Sequence, residues 1–445
     1  MRSWSSTSEH ATVTAPSCKV DEKLPLTRNI RPNEPPPDLK TYERAGGYQA
    51  LRHALKHLSC TQVTELVKAA NLRGRGGAGF PTGVKWGLVP MGPEAPSRKY
   101  VIANGDEMEP GTFKDRLLIE GDPHQLIEGM ILAGFAIQAD VGYVFLRGEY
   151  TVGAELIMKA LVEARAANLL GRNIAGSEFS FELYLHTSAG RYICGEETAL
   201  ISSLEGKRAI PRAKPPYPQI SGLFGKPTVV NNIETYCNVP HIVLNGAEWF
   251  RGLSKCRDGG TKLYGVSGKV KRPGTWELPM GTTIRELLEE HAGGMRDGLK
   301  LRCFLPGGAS TDFLLPEHLD LPFDFDSIAQ AGSRMGTGQI TVVDDQTDLI
   351  GVLRNLEHFF AQESCGWCTP CRDGLSWVEK ILLRIEQGQG RPEHIEILKS
   401  HTKLLGPGRT FCAHAPGAME PLQSALKYFP EEFERRVQHS RALAG

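Results

Sequence analysis

Gly74-Arg75-Gly76-Gly77-Ala78-Gly79-Phe80-Pro81-Thr82-Gly83-Val84-Lys85-Trp86 is the segment on which the fold turns. Gly74, Gly76 and Gly79 satisfy the spacing of a dinucleotide fingerprint, which must follow a strand and open a helix. Here the preceding residues Val63, Leu66, Val67 and Ala70 fall at helical spacing, predicting a helix from Thr61 to about Leu72. A standard Rossmann site is therefore disfavoured, and the glycines need another purpose. Bare glycine backbone can approach a flat ring and offer its amides, and Pro81 at a helix start leaves N–H donors suited to a ligand's phosphate or ring oxygens. A flexible surface turn is the plain alternative. Against it, Arg75, Phe80, Lys85 and Trp86 add charge and stacking surface that a linker has no use for.

Working outward, strand and helix signals alternate. Tyr100 to Ala103 reads as a buried strand, and Asp122 with Pro123 and Gln125 starts a helix through Leu126 to Ala136. Tyr143 to Leu146 is the next strand. Thr151 begins a helix that reaches about Leu170 and stops at Gly171. Phe179, Phe181, Leu183 and Leu185 alternate as a half-buried strand, and Gly195 to Leu204 is a helix. Strands separated by such helices imply right-handed crossovers and a largely parallel sheet, so residues 37–246 are expected to form an α/β domain with its ligands beyond the strands' carboxyl ends. Residues 247–336 change texture. Strands at Lys262 to Val266 and Thr275 to Leu278 and a helix at Thr283 to His291 suggest a small α+β module. In residues 337–445 the helical patterns Leu349 to Gln362, Leu375 to Gln387, Pro392 to Leu405 and Ala418 to Tyr428 predict a four-helix bundle. Residues 1–36, rich in Ser, Thr and Pro, read as an extended arm without a core.

A chain of 445 residues, 40% hydrophobic and 23% charged, fits about three globular domains and excludes disorder, collagen and coiled coil. With 51 basic and 51 acidic residues it has no field suited to nucleic acid or an anionic membrane. The apolar run Leu126 to Ala139 is too short to span a bilayer, and Met1 to Cys18 lack the apolar core of a secretory signal. The ten cysteines then read as cytosolic thiols or metal ligands.

Cys365, Cys368 and Cys371 stand at a strict two-residue spacing, and Cys412 stands alone in Thr410-Phe411-Cys412-Ala413. Four thiolates ligate a [4Fe–4S] cluster, and this triple spacing with a distant fourth ligand is of the ferredoxin kind. Zinc, with His414 as a candidate ligand, is the alternative, although structural zinc prefers two paired knuckles. Acids gather in Asn104-Gly105-Asp106-Glu107-Met108-Glu109, at a strand's carboxyl end, and in Tyr192-Ile193-Cys194-Gly195-Glu196-Glu197, at a helix start. A solvated turn and helix capping explain these equally. Val230-Asn231-Asn232-Ile233-Glu234-Thr235 offers neutral amides for a phosphate, or simply a turn.

Together, from about residue 38 onward, these segments resemble the NADH-binding flavoprotein subunits of respiratory complex I (51 kDa type), the NADH:quinone oxidoreductase. The resemblance implies an atypical Rossmann-like domain for FMN and NADH, a small ubiquitin-like domain, and a helical bundle carrying one [4Fe–4S] cluster on Cys365, Cys368, Cys371 and Cys412. It implies an FMN site of Gly74, Arg75, Gly76, Gly77, Lys85, Asn104, Asp106, Gly195, Glu196, Val230, Asn231, Asn232 and Thr235. Gly77, Phe80, Lys85, Glu109, Tyr192, Glu197 and Tyr217 would face NADH. Leu88 departs from an aromatic residue that some members place against the adenine, and Gly105 from a common alanine. The implied chemistry is hydride transfer from NADH to FMN without a side-chain acid or base, with electrons leaving singly through the cluster. The implied partners are a [2Fe–2S] thioredoxin-like subunit and a large multi-cluster iron–sulfur subunit, on the cytoplasmic side of a bacterial inner membrane. Glu197, by accepting from the ribose 2′-hydroxyl and repelling a 2′-phosphate, would favour NADH over NADPH by tenfold or more at about 4 kcal/mol for charges some 4 Å apart. A diaphorase subunit of an NAD-reducing hydrogenase or formate dehydrogenase is the alternative within the class, and a zinc-stabilised binding module the alternative outside it.

Overall fold

The computed structural model describes residues 23–444. Strands β1 (Tyr100–Gly105), β2 (Val141–Leu146), β3 (Glu182–Thr187) and β4 (Thr228–Asn232) form an all-parallel sheet in the order β3-β2-β1-β4. The chain reverses direction across the sheet between β1 and β4, where an open α/β sheet leaves a crevice at its carboxyl end. Register places Ala103 beside Asn231 and Asn104 beside Asn232, so both ends of that crevice carry asparagine. The helix Pro123–Ile137 behind the sheet is buried almost all round; Asp122 accepts from the Gln125 N–H at its start, and Gln138 ends it with φ 59°. The glycine segment follows the helix Cys60–Ala69 and opens the short helix Thr82–Gly87, as its flanking pattern requires.

Sequence pattern marks neither β4 nor the helix Ile233–Asn245 that follows it. The strand has five residues ending in Asn-Asn, and the helix contains Pro240, which breaks the usual propensity signal. Packing compensates, since eleven residues from Ile233 to Val243 are buried.

A second sheet contains β5 (Thr261–Ser267), β6 (Gly274–Pro279), β7 (Leu301–Leu305) and β8 (Gln339–Asp344), ordered β6-β5-β8-β7 with a parallel central pair and antiparallel edges. Together with the π-helical turn Glu286–His291 this is the small ubiquitin-like α+β module. Its last strand, β8, lies past residue 336, so the module runs on to about Asp344. Five C-terminal helices follow: Leu349–Glu363, Thr369–Glu386, Pro392–Leu404, His414–Tyr428 and Pro430–Ala444, the last lying beyond the four that periodicity marks.

The arm is not wholly extended. Leu26 is fully buried, and the Glu277 carboxylate on β6 accepts from the Leu26 N–H (3.0 Å), the Thr27 N–H (2.8 Å) and the Thr27 hydroxyl (2.7 Å). Residues 1–22 of the expected arm lie outside the described residues. No helix among the described residues is long and apolar enough to cross a membrane.

Candidate functional site

At the carboxyl end of β1 and β4 lie two adjoining cavities of about 280 and 580 Å³. Gly76, Ala78, Asn104, Gly195 and Asn232 line both, so they are two halves of one cleft. Three asparagines form its wall, and protein donors fix the direction of each amide. The Asn104 carbonyl oxygen accepts from the Asp106 N–H (3.1 Å), that of Asn231 from the Trp86 indole (3.0 Å), and that of Asn232 from the Glu234 N–H (3.0 Å). Each of these partners can only donate, so the side-chain oxygen of each asparagine is identified by its bond. One amide hydrogen of Asn104 goes to the Gly195 oxygen (2.9 Å) and one of Asn232 to Asp115 Oδ2 (2.6 Å), so each keeps one N–H for a ligand beside the Asn231 amide. That suits a ligand with many acceptor atoms.

The glycine segment closes against this wall. A β-carbon at Gly76 would stand 3.2 Å from the Asn232 Cβ, and Gly79, at φ +65°, would push one into the Phe325 ring at 2.6 Å. Phe80, Leu88 and Tyr217 also line the larger cavity, at 48%, 52% and 55% exposure, and the rings of Phe80 and Tyr217 leave flat faces open for stacking.

The acids divide by role. Glu107 is used structurally: its carboxylate accepts from the N–H groups of Lys114, Asp115 and Arg116 and from the Tyr150 hydroxyl. Asp106 accepts from Ser188 through one oxygen (3.1 Å), while the other is buried without a partner, and burial raises its pKa to about 7. An orphaned buried oxygen at a cleft is the place for a ligand hydroxyl. Glu109 accepts from the Tyr192 hydroxyl and the Ser310 N–H, both at 2.6 Å, and burial raises its pKa. Glu196 caps the helix Glu197–Leu204 through the Thr198 and Ala199 N–H groups (2.9 Å each), so capping accounts for its position. Glu197 is gripped by Lys85 (3.0 Å) and Lys214 (2.8 Å); burial pushes its pKa up, but the two lysines outweigh burial and hold it below the ordinary range. A carboxylate between two cations is a weak repeller of a further anion. The tenfold discrimination expected of a bare Glu197 is reduced accordingly.

All the expected cleft residues but one line it. The exception is Arg75, whose fully buried guanidinium runs the other way, donating to the Gly259 oxygen (2.8 Å) and the Thr261 oxygen (3.0 Å) beside the second sheet. Only its backbone serves the loop, where its N–H donates to the Thr235 hydroxyl (2.9 Å). Sequence reasoning missed the far wall of the smaller cavity, made by Gly307, Ser310, Arg334, Gly336 and Thr337 of the second module. The only signal was two glycine-rich turns, at Gly307-Gly308 and Gly336-Thr337-Gly338, more than 220 residues from the glycine segment.

The smaller cavity reaches Cys412 and His414. Cys412 stands one residue before Ala413, which starts the helix His414–Tyr428, and Cys368 and Cys371 bracket the start of Thr369–Glu386, so two helix N-termini lie beside the thiols with their partial positive charge. The Cys371 thiol is pushed up to about 12, first by burial and further by Cys368, Cys412 and Cys365, which places all four in mutual electrostatic reach. Among the described residues no three His, Cys, Asp or Glu side chains converge as around a single ion. A four-iron cluster is far wider than one ion and spreads its thiolates to match, so an all-thiol set at two helix starts fits it. His414 faces inward instead, with Nε2 2.8 Å from the Phe360 oxygen.

Residues 67–241 match the Nuo51 FMN-binding domain, residues 263–313 the SLBB domain, and residues 351–436 the NADH-ubiquinone oxidoreductase-F iron-sulfur binding region. The NADH-quinone oxidoreductase F-type subunit of Escherichia coli (strain K12) is 58% identical over 94% of this chain and 94% of its own length. The protein of that name from Mycobacterium tuberculosis is 46% identical over 94% and 95%. Among solved structures, a chain of an NAD+-reducing [NiFe]-hydrogenase in the H2-reduced state has 35% identity and a TM-score of 0.79 over 88% of this chain; this chain spans 65% of that one.

Proposed function

The chain belongs to the F-type subunits of NADH-quinone oxidoreductase, and on that premise we propose how its cleft and cysteines divide the work of an NADH-oxidising FMN flavoprotein. It is one component of a multi-subunit NADH dehydrogenase, with an FMN-binding domain and a [4Fe–4S]-binding region. Bound FMN supplies the conversion of a two-electron hydride into single electrons, and the cluster supplies their exit.

The chain's own residues position and tune. Gly74, Gly76 and Gly77 bring backbone against the flavin; Asn104, Asn231 and Asn232 donate to its acceptor atoms. The orphaned Asp106 oxygen takes a ligand hydroxyl, and Lys85, Gly195, Glu196, Val230 and Thr235 complete the FMN wall. Phe80 and Tyr217 give NADH flat faces, and Glu197 accepts from its ribose. Glu109, held by Tyr192, orients the nicotinamide end. Cys365, Cys368, Cys371 and Cys412 hold the cluster, with Cys412 at the margin of the cleft.

The observation that carries this reading is the row of three asparagine amides at the strand switch point, each oriented by a protein donor at its oxygen. Protein purified anaerobically should show flavin and iron–sulfur absorbance, release FMN intact on acid treatment, and lose its flavin band when NADH is added. FAD in the supernatant, or a colourless protein, overturns it.

One complete cysteine set implies that electrons pass to another chain. The partners that suit this are a [2Fe–2S] thioredoxin-like subunit and a large multi-cluster iron–sulfur subunit, holding this chain on the cytoplasmic side of a bacterial inner membrane. The likeness to the hydrogenase chain favours a diaphorase role as a second reading, though the matches to the F-type subunits are far closer in sequence. Copurification of quinone-reducing partners decides for the first, and of a nickel–iron protein for the second.

A further inference from the structure

We propose that Lys114, which the family resemblance assigns to neither ligand, is a positioning residue for FMN that acts through Asn232. Its side chain is 1% exposed at the floor of the smaller cavity. The ammonium meets Asp115 Oδ1 at 2.8 Å, Glu234 Oε2 at 2.8 Å and Asn232 Oδ1 at 3.2 Å. An ammonium has three N–H donors, and all three are taken. Lys114 therefore has nothing left for a ligand phosphate, and its effect on the cleft must pass through a neighbour.

That neighbour is Asn232. Its side-chain oxygen accepts from both Lys114 and the Glu234 N–H, and one amide hydrogen goes to Asp115 Oδ2 at 2.6 Å. One N–H remains, with a single direction available to it. Asn232 stands in the wall shared by the two cavities, in contact range of Gly76. Lys114 thus sets both the aim of a donor and the seat on which the glycine segment rests.

A buried cation beside a buried carboxylate could equally be a structural tie between domains. Lys262 provides the comparison. It comes from β5, is equally buried, and meets the same Glu234 carboxylate at 3.1 Å, yet it bonds neither Asn232 nor the cleft. Loss of either lysine leaves Glu234 one cation short, with the cost of an under-compensated buried charge. Only loss of Lys114 also takes from the Asn232 amide one of the three bonds that hold it.

The inference rests on FMN occupying this cleft. Flavin-depleted, full-length protein should be titrated with FMN by fluorescence quenching, with iron content measured in parallel. Lys114→Gln and Lys262→Gln are compared, each alone and combined with Asn232→Ala. With one oriented hydrogen bond at stake, Lys114→Gln should weaken FMN binding by about tenfold and Lys262→Gln by less than about threefold, iron content being unchanged. In the Asn232→Ala background Lys114→Gln should add less than about twofold, since coupled residues are non-additive. Equal losses for the two lysines, or a full additional loss on top of Asn232→Ala, overturns the proposal. If Lys114→Gln fails to fold, Lys114→Arg, which keeps a cation beside Glu234, is read by the same criteria. Wild-type apoprotein that fails to bind FMN overturns the cofactor assignment instead, so the two failures are distinct.

Discussion

The wall of the cleft and the loops bearing the cysteines solve opposite problems. In the cleft, protein donors have already bonded the oxygen of each wall amide, so that Asn104, Asn231 and Asn232 hold their direction before any ligand arrives. The cysteine loops have little of this. Of the four thiols, Cys371 contacts the Ser364 hydroxyl at 3.2 Å, and burial disfavours the thiolate form of Cys371 and Cys412. A neutral donor can be preset because its protein bonds and ligand bonds differ in direction, whereas a thiolate becomes stable only when its metal is present. The first region should tolerate loss of its ligand, and the second should not.

The largest expected effect breaks the comparison at the cysteines. Cys412→Ala should lose most of the iron and destabilise the helical domain, while the apoprotein still takes up FMN; wild-type iron content and an unchanged reduced-state EPR signal would remove Cys412 from the ligand set. Next, Asn231→Asp keeps the acceptor that Trp86 needs but replaces the inward N–H groups by oxygen. FMN affinity should fall by roughly 1–3 kcal/mol, the cost of an unmade buried hydrogen bond, with iron retained. Unaltered affinity would mean that the direction of this amide is irrelevant to the ligand.

The third effect is smaller because of Lys85 and Lys214. Glu197→Gln should narrow the gap in kcat/KM between NADH and NADPH by only a few-fold, since the two lysines already offset most of the charge that would repel a 2′-phosphate. A shift of a hundredfold would show Glu197 acting as a bare charge, and no shift at all would leave it a helix-start residue only.

The smallest concerns pH. Burial raises Asp106 to about 7, so between about pH 4 and pH 7 the folded chain holds a proton that the unfolded chain has released. Stability therefore falls as pH rises through that window. Buried Asp122 and Glu277 and half-buried Glu420, each raised to about 7, act in the same direction. Flavin-free Asp106→Asn should show a smaller drop in thermal midpoint from pH 5 to pH 7 than flavin-free wild type, and equal drops would show Asp106 ionised throughout.

What was legible in the sequence follows from range. Cys365, Cys368 and Cys371 declare themselves because a single loop and helix turn hold all three. The glycine segment and the alternation from Tyr100 to Leu204 are likewise local patterns. β4 escaped because two valines followed by two asparagines carry little periodicity, and its neighbours β1 and the helix Ile233–Asn245 supply its stability. The inward course of Arg75 could not be read, since its acceptors at Gly259 and Thr261 lie more than 180 residues away. The same distance hid Ser310, Arg334 and Thr337.

Asn104 is followed by Gly105, the pairing most prone to spontaneous deamidation, in which the following backbone nitrogen attacks the side-chain carbonyl. In the folded chain both residues lie in β1, flanked by β2 and β4. A β-carbon on residue 105 would stand 3.0 Å from the Phe145 oxygen, so the strand is closely packed around this peptide. The attack needs backbone rotation that a central strand forbids. The sheet therefore acts as a preservative for the amide, and every episode of local opening at β1 advances a chemical clock that turns an amide of the cleft wall into a carboxylate.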